Sequence, residues 1–442
     1  MNKTDLLIIG SGPGGYETAA YAAEQGLQVT IVEENLAGGT CLNCGCIPTK
    51  ALVHDAAKAA SQGGGAEAFA IAMQRKDTVV SGLRQGVEML LGQPGITLVY
   101  GRATLTDAHT VAVGDETYVA DHIIIATGSR AKLPPVPGLG ADGAPVSAHV
   151  VTSEQLLARP SLPQSLCVVG AGVIGLEMAS VFAAFGCQVT VVEFLKECLP
   201  SLDSEIAKRI RKSMEKRGIK FYMNAGVQRI DGATVVYQDR KTGNEGTVEA
   251  ECILVATGRR PNIEGLGLEA AGVQADAKGI AVDDNMMTHV PHIYAIGDVN
   301  GRQLLAHAAS FQGQRAVNHI VGKADDIRLD IMPAAVFTTP EAASVGVTDD
   351  YCKEHGIAYT SHKAIYRANG RAQAMEETDG LVKLICDEHD VIIGCHVMGA
   401  EAAGMVQEVA ALMNFNVTRA RLASIIHIHP TLNEILLDAA RH

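Results

Sequence analysis

Asp5-Leu6-Leu7-Ile8-Ile9-Gly10-Ser11-Gly12-Pro13-Gly14-Gly15 decides the fold. The apolar run from Leu6 to Ile9 has no polar alternation, so it reads as a strand buried on both faces, as in a parallel sheet. It runs directly into a G-x-G-x-x-G loop, and a helix is expected from Tyr16 onward. A second strand, Gln28-Val29-Thr30-Ile31-Val32, ends in Glu33, an acid about 20 positions beyond the loop. In such a unit Gly10 allows the tight turn, Gly12 lets a pyrophosphate approach the backbone, and Gly15 brings helix against strand; Gly14 belongs to the same loop. The helix N-terminus then faces the phosphates, and Glu33 can accept bonds from a ribose hydroxyl pair.

The same design recurs. Ser165-Leu166-Cys167-Val168-Val169 leads into Gly170-Ala171-Gly172-Val173-Ile174-Gly175, with a helix expected from Leu176. A strand Gln188-Val189-Thr190-Val191-Val192 then ends in Glu193, at the same distance from its loop as Glu33. Two dinucleotide sites in one chain imply electron transfer between two dinucleotides. A carboxylate at Glu193 accepts bonds from a free 2′-hydroxyl and repels a 2′-phosphate, which favours NAD over NADP. Each half also has an apolar strand ending in Ala-Thr-Gly, at Ala126-Thr127-Gly128 and Ala256-Thr257-Gly258. A further apolar strand, His292 to Ile296, ends in Gly297-Asp298, where an acid can accept a bond from a polyhydroxyl chain.

Composition narrows the class. The 442 residues predict more than one core, and 47% hydrophobic residues are ample to fill them. A net charge of −13, no Trp and 4% aromatics leave neither a phosphate-backbone footprint nor a stacking platform, so no nucleic-acid partner is expected. No apolar segment reaches the ~20 residues of a membrane span, and the N-terminal run is too short for a signal-peptide core. Seven scattered cysteines in mostly apolar surroundings predict reduced thiols and a cytoplasmic location.

The other three of the ten cysteines crowd into Gly38-Gly39-Thr40-Cys41-Leu42-Asn43-Cys44-Gly45-Cys46-Ile47-Pro48-Thr49-Lys50. A metal site, a C-x-x-C pair, a dithiol coupled to another redox centre and inert buried thiols all fit such a run. A Cys41–Cys46 bridge needs an irregular helix start, because a regular helix holds positions five apart beyond disulfide reach; Gly45 and Pro48 permit one. Near the C-terminus, Ile426-His427-Ile428-His429-Pro430-Thr431-Leu432-Asn433-Glu434 is equally open. The two histidines can chelate a metal, although no third ligand is evident. Thr431-x-x-Glu434 can be a capping box. Alternatively, a histidine base is held by a carboxylate and takes protons from thiols.

Taken together, these motifs resemble the flavoprotein disulfide reductases, and among them the dihydrolipoamide dehydrogenases. The resemblance runs nearly end to end, through the two glycine loops, the Cys41-to-Lys50 run, Gly170 to Glu177, Val255-Ala256-Thr257-Gly258-Arg259-Arg260-Pro261-Asn262, Ile293 to Asp298 and His429 to Glu434. It implies FAD in the first half, held by the Gly10 loop with Glu33, Gly39, Thr40, Lys50, Ala103, Thr127, Gly128, Asp298 and Ala306. It implies NAD in the second, held by Gly170, Gly172, Val173, Ile174 and Gly175 with Glu177, Glu193, Val227 and Gly258. Lys50 and Glu177 would pair beside the flavin ring. Cys41 would be the thiol that exchanges with substrate, Cys46 the thiol against the flavin, and no metal is expected. His429 and Glu434 would come from the other subunit of a homodimer with shared active sites.

The implied reaction is oxidation of the dihydrolipoyl arm of a carrier protein from a 2-oxo-acid dehydrogenase or glycine cleavage complex. Two alternatives are another FAD-dependent disulfide reductase, such as a glutathione-type enzyme, and a structural subunit of such a complex. The expected class is α/β, with two Rossmann-like dinucleotide-binding domains and a C-terminal α+β dimerisation domain. Residues 1–140 and 261–329 would form the FAD-binding domain, 141–260 the NAD-binding domain and 330–442 the interface domain, with Pro134-Pro135-Val136-Pro137-Gly138 as a linker. The sequence departs from the family pattern at Cys44, an extra thiol, at Asn433 where serine is common, and at Ala308 of Ala306-His307-Ala308-Ala309, where lysine is usual.

Overall fold

The computed structural model describes residues 2–139 and 147–442. Strand Asn2–Ile9 lies between the parallel strands Val29–Glu33 and Glu116–Ile125, with Ile96–Tyr100 at the edge beyond Val29–Glu33. Leu6, Leu7, Ile8 and Ile9 are buried, as an apolar run inside a parallel sheet must be. Glu116–Ile125 is shared along its length. Its first half pairs antiparallel with Thr110–Val113, and its last residues pair in parallel with Ile293–Ala295. The strand preceding Asp298 therefore returns to the first sheet, beside Ile123–Ile125, which are far away in sequence. Helices Pro13–Glu24 and Ala306–Ile320 cover one face, joined by the hydrogen bond from Tyr21 Oη to Asn318 Oδ1.

The second unit repeats the plan in a five-stranded parallel sheet, ordered Lys220–Met223, Gln188–Glu193, Ser165–Val169, Cys252–Val255, Val150–Val151. An antiparallel ribbon joins the two units, strand Ser129–Ala131 against Arg259–Pro261, each leaving from just beyond an Ala-Thr-Gly. The boundary expected at residues 140 and 141 lies outside the described residues. From residue 334 onward the sheet is antiparallel, ordered Ala334–Val336, Ala342–Gly346, Ile392–Met398, Leu381–Cys386, Thr360–Ile365, with helices Ala402–Met413 and Glu434–Arg441 packed on it. Among the described residues, no helix is long and apolar enough to cross a membrane.

The third unit is fastened to the second by a buried ion cluster. Lys383 Nζ lies 2.8 Å from Asp203, 2.9 Å from Asp349 and 3.1 Å from Glu205, and both Lys383 and Asp203 are 1% exposed. Asp203 also caps helix Ser204–Lys216 by accepting the Glu205 and Ile206 N–H groups. Burial opposes the Glu205 carboxylate, but Lys363 and Lys383 outweigh it and hold that carboxyl down to about 2.

Candidate active site

The two glycine loops are built alike. Gly10 and Gly170 have φ of 101° and 105°, a left-handed conformation that glycine adopts without strain. A Cβ on Gly10 would meet the Ala126 carbonyl oxygen, and one on Gly170 would meet that of Ala256. This explains the repeated Ala-Thr-Gly: its alanine carbonyl seats against the first loop glycine. A Cβ on Gly15 would strike the Gly10 carbonyl, and one on Gly175 that of Gly170. The helices begin at Pro13 and Val173, three residues earlier than expected from Tyr16 and Leu176, because the last three loop residues, Pro13 to Gly15 and Val173 to Gly175, already form the first turn.

Gly12 and Gly172 differ in kind from these. Both have extended backbone that any residue adopts, and a Cβ on either would meet nothing within 4 Å. The protein's own packing does not require glycine there, so the room is left for something else. A pyrophosphate against a helix N-terminus fits it. We expect Gly12→Ala and Gly172→Ala to leave the cofactor-free fold within about 1 kcal/mol of wild type. Their dissociation constants for flavin and dinucleotide, respectively, should rise at least about tenfold. Gly15→Ala should instead lower the unfolding temperature of the chain before any cofactor is added. Equal destabilisation by Gly12→Ala and Gly15→Ala would refute the distinction.

The acids that follow the loops are held in the same way. Glu33 accepts the Ser11 N–H at 2.9 Å on Oε2 and the Asn35 N–H at 2.8 Å on Oε1. Glu193 accepts the N–H groups of Ala171 and Leu195 in the same pattern. Ser11 adds a hydroxyl bond of 2.6 Å to Glu33 that Ala171 cannot make. Each carboxylate is thereby aimed along its loop and keeps lone pairs for ribose hydroxyls. Thr127, Gly128 and Gly258 line the strand ends opposite, Gly128 and Gly258 again with open space where a Cβ would stand. Ala306 opens its helix with no side-chain cap, leaving N–H groups free to meet an anion. Ala103 begins strand Ala103–Leu105, and Val227 lies beside a register shift in strand Ala225–Asp231.

The cysteine run is anchored directly on the first loop. Gly38 N–H donates to the Ser11 carbonyl at 3.0 Å, and a Cβ on Gly39 would come within 2.6 Å of Gly12 Cα. Helix Gly39–Cys44 stops at Gly45, whose φ of −139° and ψ of −106° break it, and Cys46–Gln62 starts afresh. A Cβ on Gly45 would lie 2.9 Å from the Thr40 carbonyl oxygen, so the break needs glycine. It brings the Cα atoms of Cys41 and Cys46 to 4.6 Å, and these two cysteines form a disulfide. Cys44 remains a free thiol that burial, then the nearby Glu154 carboxylate, pushes up to about 11.

Lys50, one turn along from the disulfide, places Nζ 2.8 Å from Oε2 and 3.0 Å from Oε1 of Glu177. The Phe337 N–H donates to the same carboxylate at 2.8 Å, and Lys50 Nζ lies 4.8 Å from the centre of the Phe337 ring. All three units thus meet at one buried carboxylate. Asp298 sits in the turn Gly297–Asn300 and accepts the Ser129 hydroxyl, while Arg259 donates to Ser129 Oγ at 2.6 Å and lies 3.8 Å from Asp298. The sequence reading gave Ser129, Arg259, Glu154 and Phe337 no role at the site. The signal for the first two was the pairing of the residues after each Ala-Thr-Gly; Glu154 and Phe337 offered none.

His429 Nδ1 lies 3.0 Å from Glu434 Oε1, and Glu434 Oε2 accepts the Thr431 N–H at 2.9 Å. One carboxylate therefore bonds both the histidine and the Thr431 N–H, the two contacts that the alternative readings required separately. The capping box is only half formed: the Thr431 hydroxyl turns back to the Ile428 carbonyl, and helix Glu434–Arg441 starts without a side-chain cap. The Thr431 N–H, then His429, hold the Glu434 carboxyl below the usual carboxylate range. His427 faces elsewhere, with Nδ1 3.0 Å from the Ile425 carbonyl and Nε2 3.0 Å from Glu408, so the two histidines do not form a chelate. Asn433 bonds the same Glu408 at 2.6 Å. The His429 side chain is 81% exposed and follows Ile426 and Ile428, which are exposed at 95% and 79%. An apolar surface of this kind around a positioned imidazole calls for a second surface to cover it.

The chain matches the family model for pyridine nucleotide-disulphide oxidoreductases over residues 4–313, and the model for their dimerisation domain over residues 332–440. A leghemoglobin reductase of Glycine max is 38% identical, over 99% of this chain and 87% of that protein. A dihydrolipoyl dehydrogenase of Geobacillus stearothermophilus is 39% identical, over 99% and 96%. Among solved structures, the Cu(II) complex of the HOCl-induced flavoprotein disulfide reductase RclA from Escherichia coli matches with a TM-score of 0.90 at 30% identity, covering 100% of this chain and 99% of that one. By sequence along nearly its whole length, and by fold, the chain belongs to the pyridine nucleotide-disulphide oxidoreductase family.

Proposed function

We propose that the protein is a dihydrolipoyl dehydrogenase, oxidising a protein-bound dihydrolipoyl group with FAD and NAD as cofactors. The observation that carries the reaction class is the Cys41–Cys46 disulfide at the end of a short helix seated on the phosphate loop of the first half. The substrate follows from near full-length identity of 38–39% to dihydrolipoyl dehydrogenases of plant and bacterial origin. Glu193, with no arginine in its place, supports NAD. Held on the Gly10 loop with Glu33, FAD would supply an acceptor for the electron pair of the reduced cysteines, and NAD, held on the Gly170 loop with Glu193, would supply the final hydride acceptor.

The remaining steps belong to the chain's own side chains. With Nδ1–H donating to Glu434, His429 presents Nε2 as the base that takes a proton from a substrate thiol. The substrate thiolate attacks Cys41 Sγ, the Cys41–Cys46 bond breaks, and Cys46 leaves as a thiolate. The second substrate thiol then closes the substrate's own disulfide and expels Cys41, which takes that thiol's proton and leaves as a thiol. The substrate dithiol is oxidised by two electrons, the protein disulfide is reduced, and His429 keeps one proton as imidazolium. Lys50, paired with Glu177, supplies positive charge beside the reduced pair. His429 and Glu434 act on the disulfide of the partner subunit, which the exposed apolar surface around His429 supports. The domain division is 1–140 with 261–329 for FAD, 141–260 for NAD and 330–442 for the interface. Lipoyl-bearing carriers of 2-oxo-acid dehydrogenase or glycine cleavage complexes are the partners. The seven cysteines outside the run, all buried and free, support a cytoplasmic location.

The deciding assay sets dihydrolipoamide with NAD against glutathione disulfide with NADPH. Turnover in the first and not the second is expected. Reduction of glutathione disulfide without lipoamide turnover would overturn the assignment.

A further inference from the structure

A second cluster of chemistry-bearing side chains lies in the third unit, apart from the disulfide, the dinucleotide loops and His429. His362 stands on the edge strand Thr360–Ile365, Cys386 ends strand Leu381–Cys386, and Asp390 sits in the turn that follows. One ligand atom from each, a ring nitrogen, Sγ and a carboxylate oxygen, all lie within 4.8 Å of one another. The sheet register produces this. His362 pairs with Leu384 and Thr360 with Cys386, so His362 and Cys386 share a face, one diagonal step apart. Asp390 reaches them from a tight turn, where its φ is 62° and its N–H bonds the Asp387 carbonyl.

We propose that His362, Cys386 and Asp390 bind one divalent transition-metal ion of borderline softness, of which Zn2+ is the type, with solvent completing a tetrahedral set. One sulfur, one nitrogen and one oxygen donor suit Zn2+, whereas a thiolate does not suit Mg2+ or Ca2+. Two of the three donors are already oriented by neighbours, as metal ligands are. His362 Nε2 lies 3.1 Å from Thr360 Oγ1, a contact that orients the ring. Asp390 Oδ1 accepts Arg419 Nε at 2.9 Å and Oδ2 accepts the Ala420 N–H at 3.2 Å, and each oxygen keeps a second lone pair. Cys386 is fully buried and, among the described residues, its Sγ makes no hydrogen bond. Binding forms the metal–sulfur bond and sends the thiol proton to solvent.

The ion braces the edge strand against the turn. Through Asp390 and Arg419, whose Nη1 donates to the Ala440 carbonyl at 2.7 Å, the brace extends to the helix that begins with Glu434.

The test uses the full-length, flavin-loaded protein with its Cys41–Cys46 disulfide oxidised, stripped by chelator and titrated with Zn2+ by calorimetry and with Co2+ by difference absorption. One equivalent should bind per chain, with a thiolate-to-cobalt charge-transfer band that persists in Cys44→Ser and disappears in Cys386→Ala. Zn2+ should raise the unfolding temperature of wild type and not of Cys386→Ala. If Cys386→Ala does not fold, His362→Ala at the strand edge decides the matter, with Co2+ affinity expected to fall at least about tenfold. No stoichiometric ion, a cobalt spectrum without the thiolate band, or unchanged affinity in His362→Ala would each overturn the site.

Discussion

Cys41→Ser is expected to bring dihydrolipoamide oxidation down to background, a loss of about 10⁴-fold or more, since a side chain that forms the covalent intermediate has no partial substitute. Serine cannot form the disulfide that the substrate thiolate attacks, and no second sulfur stands in its place. Cys44 is the obvious rival, one helical turn away and absent from the family pattern. Its environment disqualifies it as a nucleophile. Burial first, and then the Glu154 carboxylate, push its thiol to about 11, with Arg259 opposing weakly. At pH 7 a thiol with that pKa is ionised in only about one molecule in ten thousand, and the thiolate is the species that exchanges. Cys44→Ser should therefore keep turnover within about twofold of wild type. Steady-state rates of the two variants, with mass mapping of the oxidised disulfide, make the comparison. Comparable losses in both would mean that Cys44 takes part in exchange.

Lys383→Met should destabilise the protein by about 3–5 kcal/mol, the range seen when one member of a buried ion pair is removed and its partner stays charged. The methionine fills much of the space but leaves Asp203, 1% exposed, without its counter-charge. Adding Asp203→Asn retains a capping side chain for helix Ser204–Lys216 and deletes the one fully buried charge of the three carboxylates left stranded, so the double variant should recover more than half of the loss. The first transition in urea is the measurement, and a double variant no more stable than Lys383→Met would refute the account. The same cluster sets an acid limit. The Glu205 carboxyl is depressed in the folded chain to about 2, so its contribution is complete above the unfolded value of ~4.3 and is lost as pH falls from there towards 2. Lys383→Met should flatten that slope between about pH 4.3 and 2.

Different parts of the molecule were legible in the sequence to different degrees. The glycine loops were readable because each glycine answers a local demand: a left-handed turn at Gly10, a carbonyl against Gly15, open room at Gly12. Strands such as Leu6–Ile9 were readable because burial on both faces leaves an apolar run without alternation. The helix starts were missed by three residues, since a loop glycine reads as a breaker even where it forms the first turn. Glu434 was posed as cap or orienter, yet one carboxylate can bond the His429 ring and the Thr431 N–H at once. The contacts of Ser129 and Arg259 around Asp298 were not read, because bonds spanning 130 and more positions follow no period along the chain.

Sequence alone determined the two dinucleotide folds and the preference for NAD at Glu193, since these rest on spacing over a few turns of chain, whereas the roles of Cys41, Cys46, His429 and Glu434 came only from the family resemblance. Tertiary structure decided which cysteines pair. The backbone of Gly45 breaks the helix, the Thr40 carbonyl excludes any larger residue there, and Cys46 is thereby swung back to Cys41. It also decided that the disulfide helix rests on the Gly12 loop and that Glu177 joins all three units through Lys50 and Phe337. Those contacts arise from the way separately folded layers close on one another, where backbone shape and buried charge select the partners and distance along the chain carries no weight.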